Sequence, residues 1–162
     1  MSITLATDQI PPDVIGAIVA RLRRVTNLMA LCPDEVIGGR TIRRVSGRLA
    51  AIPGAKGWTG HAVVVRPAGG DGPEQWVPFA NPNIDCLCYG ATEYEAQRVA
   101  WLVAAALEPV ERAGFGFVEG DCAVTDIHQI AEPVGFYDRE NSAFVRAVSF
   151  TVRYGLVPVG AA

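Results

Sequence analysis

The chain has 162 residues, of which 50% are apolar and 19% are charged. This length and apolar content predict one folded domain over residues 1–162 and exclude a wholly disordered chain. The net charge of −3 excludes a general basic field that would attract nucleic acid or anionic membranes.

The N-terminus and the longest apolar run argue against export and membrane insertion. Residues 1–8 carry neither the basic nor the apolar region of a signal peptide. The run from Val99 to Leu107 is nine residues long, whereas a membrane-spanning helix needs about 20. We therefore expect a chain that is made in the cytoplasm and has no membrane partner.

The cysteines are expected to stay reduced in that compartment. Cys86 and Cys88 are spaced to share one face of a strand, where small buried side chains are common. The chain has no Cys-x-x-Cys or His-x-His spacing, so we expect neither a metal site nor a cofactor. The predicted buried free thiols are those of Cys32, Cys86, Cys88 and Cys122.

The first predicted element is a helix. Residues 11–13 (Pro-Pro-Asp) suit a first helical turn, and apolar residues then recur at helical spacing from Val14 to Met29. This pattern predicts one helix of four turns that ends before Pro33. Its opposite side is predicted to be a solvent-exposed face carrying Arg21, Arg23 and Arg24.

Residues 38–60 are rich in glycine and are predicted to form a loop insertion or arm, with short strands near 41–45 and 61–66. No acidic residue occurs among its cations. A solvated loop, a weak contact to passing DNA and a protein–protein contact all fit this composition. The residues concerned are Arg40, Arg43, Arg44, Arg48 and Lys56, together with Trp58.

The middle of the chain predicts two strands and a helix. Residues 62–66 form a β-branched run, turn residues fill 67–73, and 83–89 resemble a central strand that is apolar on both faces. Thr92-x-x-Glu95 matches a capping box, and alanines and valines then recur on one helical stripe. Arg98 and Trp101 lie off that stripe.

The last part of the chain predicts a strand over 123–130, a loop over 132–141 and a strand over 143–154 with period-2 alternation. The order of elements indicates an α+β fold, a mainly antiparallel sheet with two helices packed on one face, plus the long Gly/Arg-rich loop. Asp126 and His128 would share one face of their strand.

An acid–base pair of Asp126 and His128 is the one enzymatic alternative that the spacing offers. No Gly-x-Ser-x-Gly motif supplies an exposed nucleophile, and His61 is the only other histidine. Residues 54–60 contain Gly, Lys and Thr, but not in the order that cradles a phosphate. We therefore expect no catalytic and no cofactor-binding residues.

A family resemblance adds a functional expectation. The run from Pro82 to Ala96 is a strand ending in Tyr-Gly followed by a Thr-capped, alanine-rich helix, and Gly-Phe-Tyr-Asp at 135–138 precedes the alternating strand Phe144–Tyr154. This order resembles the tail terminator (tail completion) proteins of long-tailed, non-contractile bacteriophages, the group of the lambda tail terminator. The resemblance covers about residues 60–157 and leaves 38–60 without a counterpart.

The resemblance implies a non-catalytic virion protein. Proteins of this group form a ring, typically a hexamer, at the head-proximal end of the tail tube, where they end tube polymerisation and join the tail to the head connector. The implied partners are other copies of the chain, the tail tube protein and a connector or stopper protein, while genomic DNA passes through without specific binding. A head–tail connector or stopper of the same virion is the alternative.

A ring needs one surface patch that meets a different patch on the next copy. We expect one patch on the second helix, at Arg98 and Trp101, although Trp101 covered by its own chain, for instance by 114–120, is an equal alternative. We expect the other on the outward face of a terminal strand near a sheet edge, and the basic stretch of 40–58 to contact another subunit or the tail tube protein. The strand residues concerned are Val145, Ser149 and Thr151.

Overall fold

The computed structural model of the chain describes residues 13–48, 60–71, 79–108 and 116–156. These residues form an α+β fold, which confirms the predicted class, with three helices where two were predicted. In chain order the elements are α1 (Val14–Arg23), α2 (Thr26–Leu31), β1 (Glu35–Ile37), β2 (Arg40–Ile42), β3 (Val45–Ser46), β4 (Ala62–Asp71), β5 (Phe79–Gly90), α3 (Glu93–Leu107), β6 (Phe117–Glu119), β7 (Cys122–Gln129), β8 (Val134–Asp138) and β9 (Ala143–Leu156). No helix of the described part is long and apolar enough to cross a bilayer.

Seven strands form one sheet in the order β3-β4-β5-β9-β7-β6, with β8 pairing with β9. Among the described strands only the β3–β4 pair is parallel, so the sheet is mainly antiparallel, as predicted. Strand β9 lies at the centre: β5 pairs along one side of it, and β8 and β7 share the other side. The prediction that this strand lies at or near a sheet edge is therefore wrong.

The sheet curls around its helices. Helix α3 packs on the central strands β5 and β9, while α1 contacts β3 and β4 near one end of the sheet and β6 and β7 near the other. The apolar core fills the space between, and Phe150, Ile18 and Val103 are fully buried in it. The predicted alternation of β9 is confirmed, since Val148, Phe150, Val152 and Tyr154 face this core.

The predicted first helix is two helices. Asp13 caps α1 by accepting a hydrogen bond from the Gly16 amide (2.8 Å), but Val25 is extended (φ −81°, ψ 104°) and separates α1 from α2. On one straight helix, Leu22 and Leu28 would lie about 120° apart around the axis. The break allows both leucines to be fully buried, which apolar spacing alone does not show.

The arginines at the end of α1 form a solvated face only in part: the Arg24 side chain is 66% exposed, as predicted, whereas Arg21 and Arg23 are half-buried. Arg23 forms an ion pair with Asp34 (2.5 Å), Arg24 with Glu119 of β6 (2.8 Å), and the Arg21 guanidinium lies 5.5 Å from the Phe117 ring centroid. The Arg23 guanidinium holds the pKa of the Asp34 carboxyl below its usual value. Arg23 Nη1 also donates to the Val45 carbonyl of β3 (3.4 Å), so the end of α1 contacts β3 at one end of the sheet and β6 at the other.

The sequence analysis did not predict the β1–β2 hairpin or strand β8, because both segments contain turn-forming residues. Gly38 and Gly39 both have positive φ (58° and 78°), the backbone of a two-residue hairpin turn, and they join β1 to β2. The predicted loop over 132–141 contains β8, which pairs with β9 from Val134↔Ala147 to Asp138↔Ala143. The short strand predicted near 41–45 is present as two strands, β2 and β3, separated by Arg43 and Arg44, and residues 49–59 of the predicted arm lie outside the described residues.

The four thiols are free and buried, as predicted. Burial raises the pKa of Cys32 to about 12 and that of Cys122 to about 11, and it raises the pKa of Cys86 and Cys88 as well. Because a thiolate is the reactive form, these cysteines are protected both sterically and chemically.

We expect the native chain to resist thiol alkylation at neutral pH and to react at all four cysteines once unfolded in guanidinium chloride. The thiol pKa values in the folded chain exceed the usual 9.0. The neutral thiols therefore contribute stability below pH 9. This stability is lost as the pH rises through about 11, where Cys122 ionises in the folded chain. Mass spectrometry of alkylated samples measures the first effect and alkaline denaturation curves the second. Rapid labelling of the folded chain would contradict this burial.

Candidate protein-interaction surface

The surface of α2 and α3 forms an open groove of about 470 Å³. Two aromatic side chains line it and are largely exposed, Tyr94 at 65% and Trp101 at 59%. The described residues therefore do not cover Trp101, contrary to the alternative in which its own chain shields it. The full lining is Asn27, Ala30, Leu31, Tyr94, Arg98, Trp101 and Leu102.

Helix α3 places these side chains by its periodicity. Thr92 and Glu95 form the predicted capping box, with each side chain accepting from the other residue's amide (3.2 and 3.1 Å). The buried stripe faces the sheet, so residues four and three apart on the other side, Tyr94, Arg98 and Trp101, face outward. The stripe consists of Ala96, Val99, Ala100, Val103 and Leu107.

The predicted patch on β9 is only partly accessible. Val145 is 1% exposed within a second apolar cluster with Leu87 and Tyr89, so it cannot meet a partner in this conformation. Ser149 and Thr151 are half-buried, and their hydroxyls donate to Asp85 Oδ1 and Asn83 Oδ1, both at 2.7 Å. The central position of β9 explains this burial, because neighbouring strands flank it on both sides.

The basic stretch divides into buried and exposed members. Arg40, Arg43 and Arg48 are exposed, as an interface requires, whereas Lys56 and Trp58 lie outside the described residues. Arg44 is only 3% exposed and forms an ion pair with Glu35 Oε2 (2.7 Å), so its expected role at an interface is wrong. Its acidic partner comes from β1, just before the stretch that the sequence pattern defines.

Arg44→Ala should lower the free energy of unfolding by about 1.5–3 kcal/mol, the usual loss for a hydrogen bond to a charged group. The matched variant Arg43→Ala, at an exposed neighbouring position, should change stability by no more than about 0.5 kcal/mol. Urea denaturation of the two variants measures the difference. Equal effects would contradict a structural role for Arg44.

The predicted carboxylate–imidazole pair exists. His128 Nε2 lies 2.5 Å from Asp126 Oδ2, and its Nδ1 lies 3.9 Å from Glu108 Oε1. Both ring nitrogens thus face carboxylates rather than a nucleophile, and the hydroxyl of Thr151, opposite His128 in the sheet, donates to Asn83. Within the described residues this arrangement lacks the nucleophile–base contact of a catalytic triad, and no group of metal-ligating side chains occurs there.

Strand β8 is a surface that the sequence prediction missed. It exposes three large apolar side chains, Val134 (62%), Phe136 (47%) and Tyr137 (50%). The alternating Val134-x-Phe136 pattern was the available signal, but Pro133 and Gly135 favoured a loop. An exposed apolar strand at a sheet edge is a typical site of pairing or docking.

Comparison with known proteins shows a shared fold. No protein-family model and no curated protein matches the sequence. Among solved structures, the fold is similar to that of a chain in the virion of a native gene transfer agent particle, with a TM-score of 0.53. The two sequences are 15% identical, and the match covers 89% of this chain and 99% of that chain.

Proposed function

We propose that this protein is a structural, non-catalytic component of a phage-like virion that forms a ring at the head-proximal end of the tail tube. The observation that carries the proposal is the fold shared with almost the whole of a chain from a gene transfer agent virion. The sequence resemblance to tail terminators supports the same role and rests on the residue pattern rather than on the fold.

The surfaces of the subunit support assembly into a ring. The α2/α3 groove and the β8 edge are both apolar and exposed. They differ in charge, because Arg98 lines the groove whereas Glu132 and Glu140 flank β8. A closed ring requires two such unlike patches on each copy, because each interface joins one patch to the other. We take the ring to be six-fold, as the resemblance implies, and to let DNA pass without specific binding.

The resemblance to tail terminators also suggests the remaining partners. In the ring, one rim would end the polymerisation of the tail tube protein, and the other would meet the connector or stopper protein of the head. The exposed cations Arg40, Arg43 and Arg48 supply a surface for an acidic neighbour, either the tube or another subunit.

Deleting the gene from its virus or particle-producing host tests this role. A terminator's absence should give tails that exceed the normal length, since nothing then stops tube growth. Tails of normal length that stay unattached to heads would instead identify a connector or stopper. Electron microscopy measures both outcomes, and restoring the gene in trans is the control.

A further inference from the structure

Strand β8 presents an apolar edge bounded by acid. It pairs with β9 along one side only, and no described strand pairs with its other side. Residues 131–142 contain three carboxylates, Glu132, Asp138 and Glu140, and one cation, Arg139. The segment is therefore both apolar at its centre and negatively charged overall.

The turn after β8 is held in one conformation. Asp138 Oδ1 accepts hydrogen bonds from the amides of Glu140 (3.0 Å) and Asn141 (3.2 Å), and its Oδ2 accepts from Asn141 Nδ2 (2.7 Å). The Asp138 carboxylate is thus used within the turn. The exposed carboxylates of Glu132 and Glu140 remain on either side of Val134 and Phe136.

The α2/α3 groove has the opposite character. Apart from Asn27 its walls are aromatic and aliphatic, and among the described residues that line it Arg98 is the one charged side chain and none is a carboxylate. The Arg98 side chain is exposed and forms no ion pair with the described residues. A partner that covers Tyr94 and Trp101 and places a carboxylate beside Arg98 would bury the exposed aromatic surface and pair the charge of Arg98.

We propose that this occupant is the β8 edge of a second copy of the same chain. Its apolar side chains cover the two aromatic rings, and Glu132 or Glu140 pairs with Arg98. The groove opens on the helical layer, whereas β8 lies at the side of the sheet, so the contact joins unlike surfaces and propagates head to tail. The inference deepens the proposed ring function and rests on it.

A disulfide experiment tests this contact directly. Ala30→Cys, exposed in the groove, and Val134→Cys, exposed on β8, are made in separate chains, where the native thiols are buried. Mixing the two purified proteins under mild oxidation should give a covalent dimer, whereas neither variant alone should. Cross-linking of Val134→Cys alone indicates β8 paired with β8, and cross-linking of Ala30→Cys alone indicates groove against groove. Either result, or no dimer in the mixture, overturns the proposal.

Substitutions in the groove provide a second test of this contact. Trp101→Ala and Arg98→Glu should each weaken self-association at least about 30-fold, as expected at an interface hot spot. Combining Glu132→Arg with Arg98→Glu in one chain should restore part of the lost self-association. The matched control is Gln97→Glu, which places a carboxylate beside Arg98 but outside the lining of the groove. Sedimentation measures association, and equal weakening by the control overturns the proposal.

The two proposals fail in different ways. Normal tails without the gene would remove the terminator role and leave the cross-linking result standing. Overlong tails without the gene, together with no mixed disulfide, would retain the terminator role and remove only this contact between β8 and the groove.

Discussion

Phe150→Ala should lower the free energy of unfolding by about 3–5 kcal/mol. Phe150 lies on β9, between Ile84 of β5 and Gln129 of β7, and its side chain is fully buried between the sheet and the helices. Truncation removes its apolar contacts and leaves a cavity that a central strand, paired on both sides, cannot easily close. Since domains are stable by only about 5–15 kcal/mol, a large fraction of the stability would be lost.

Phe136→Ala is the matched control for this substitution. The same side chain is removed from β8, where it is 47% exposed, so the isolated subunit should lose much less stability than with Phe150→Ala. Chemical denaturation at low protein concentration compares the two variants. Equal losses would show that Phe150 does not occupy the core described above. Any loss of self-association with Phe136→Ala is a separate measurement and reports on the β8 contact.

Gly90→Ala should cost about 3 kcal/mol, at the upper end of the range for overpacking. A Cβ atom at this position would lie 2.5 Å from the Ala96 backbone nitrogen and 2.8 Å from Glu95 Cβ. The first turn of α3, closed by the Thr92–Glu95 capping box, would have to move away from the end of β5. Because that turn leads into the groove helix, the substitution should also weaken any assembly that uses α3.

Gly135→Ala is the comparison for Gly90. Its added Cβ would meet mainly the guanidinium end of Arg146, at 2.9 Å from Nη1, and a flexible side chain can move at small cost. We therefore expect a much smaller loss of stability than for Gly90→Ala. Thermal unfolding of both variants checks the order, and a reversed order would contradict the close approach of α3 to β5.

Local patterns were enough to predict α3 and the two faces of β9. The capping box, the alanine stripe and the period-2 alternation each depend on residues close in sequence, and the geometry of a helix or strand converts them directly into a buried face. The same reasoning located Arg98 and Trp101 off the buried stripe and predicted the buried thiols. These features follow from the sequence because no distant segment is needed to define them.

Strand order, in contrast, depended on contacts between distant residues. Nothing near β9 in sequence shows that β5, β7 and β8 all pair with it, which is why Val145 was expected at the surface and is buried. Arg44 appeared to belong to a free cationic arm until β1 brought Glu35 beside it. The α1/α2 break likewise arises because two leucines on different sides of one helix both reach the core.

The candidate interface shows the same division. Helical periodicity alone predicts that α3 carries an aromatic and a cationic residue on one side, away from the core. Contacts between distant segments place α2 beside these residues to form the groove, and they pair β8 with β9 so that it exposes an apolar edge flanked by carboxylates. Both depend on packing between segments far apart in the chain, where burial of the whole core outweighs local turn and loop preferences.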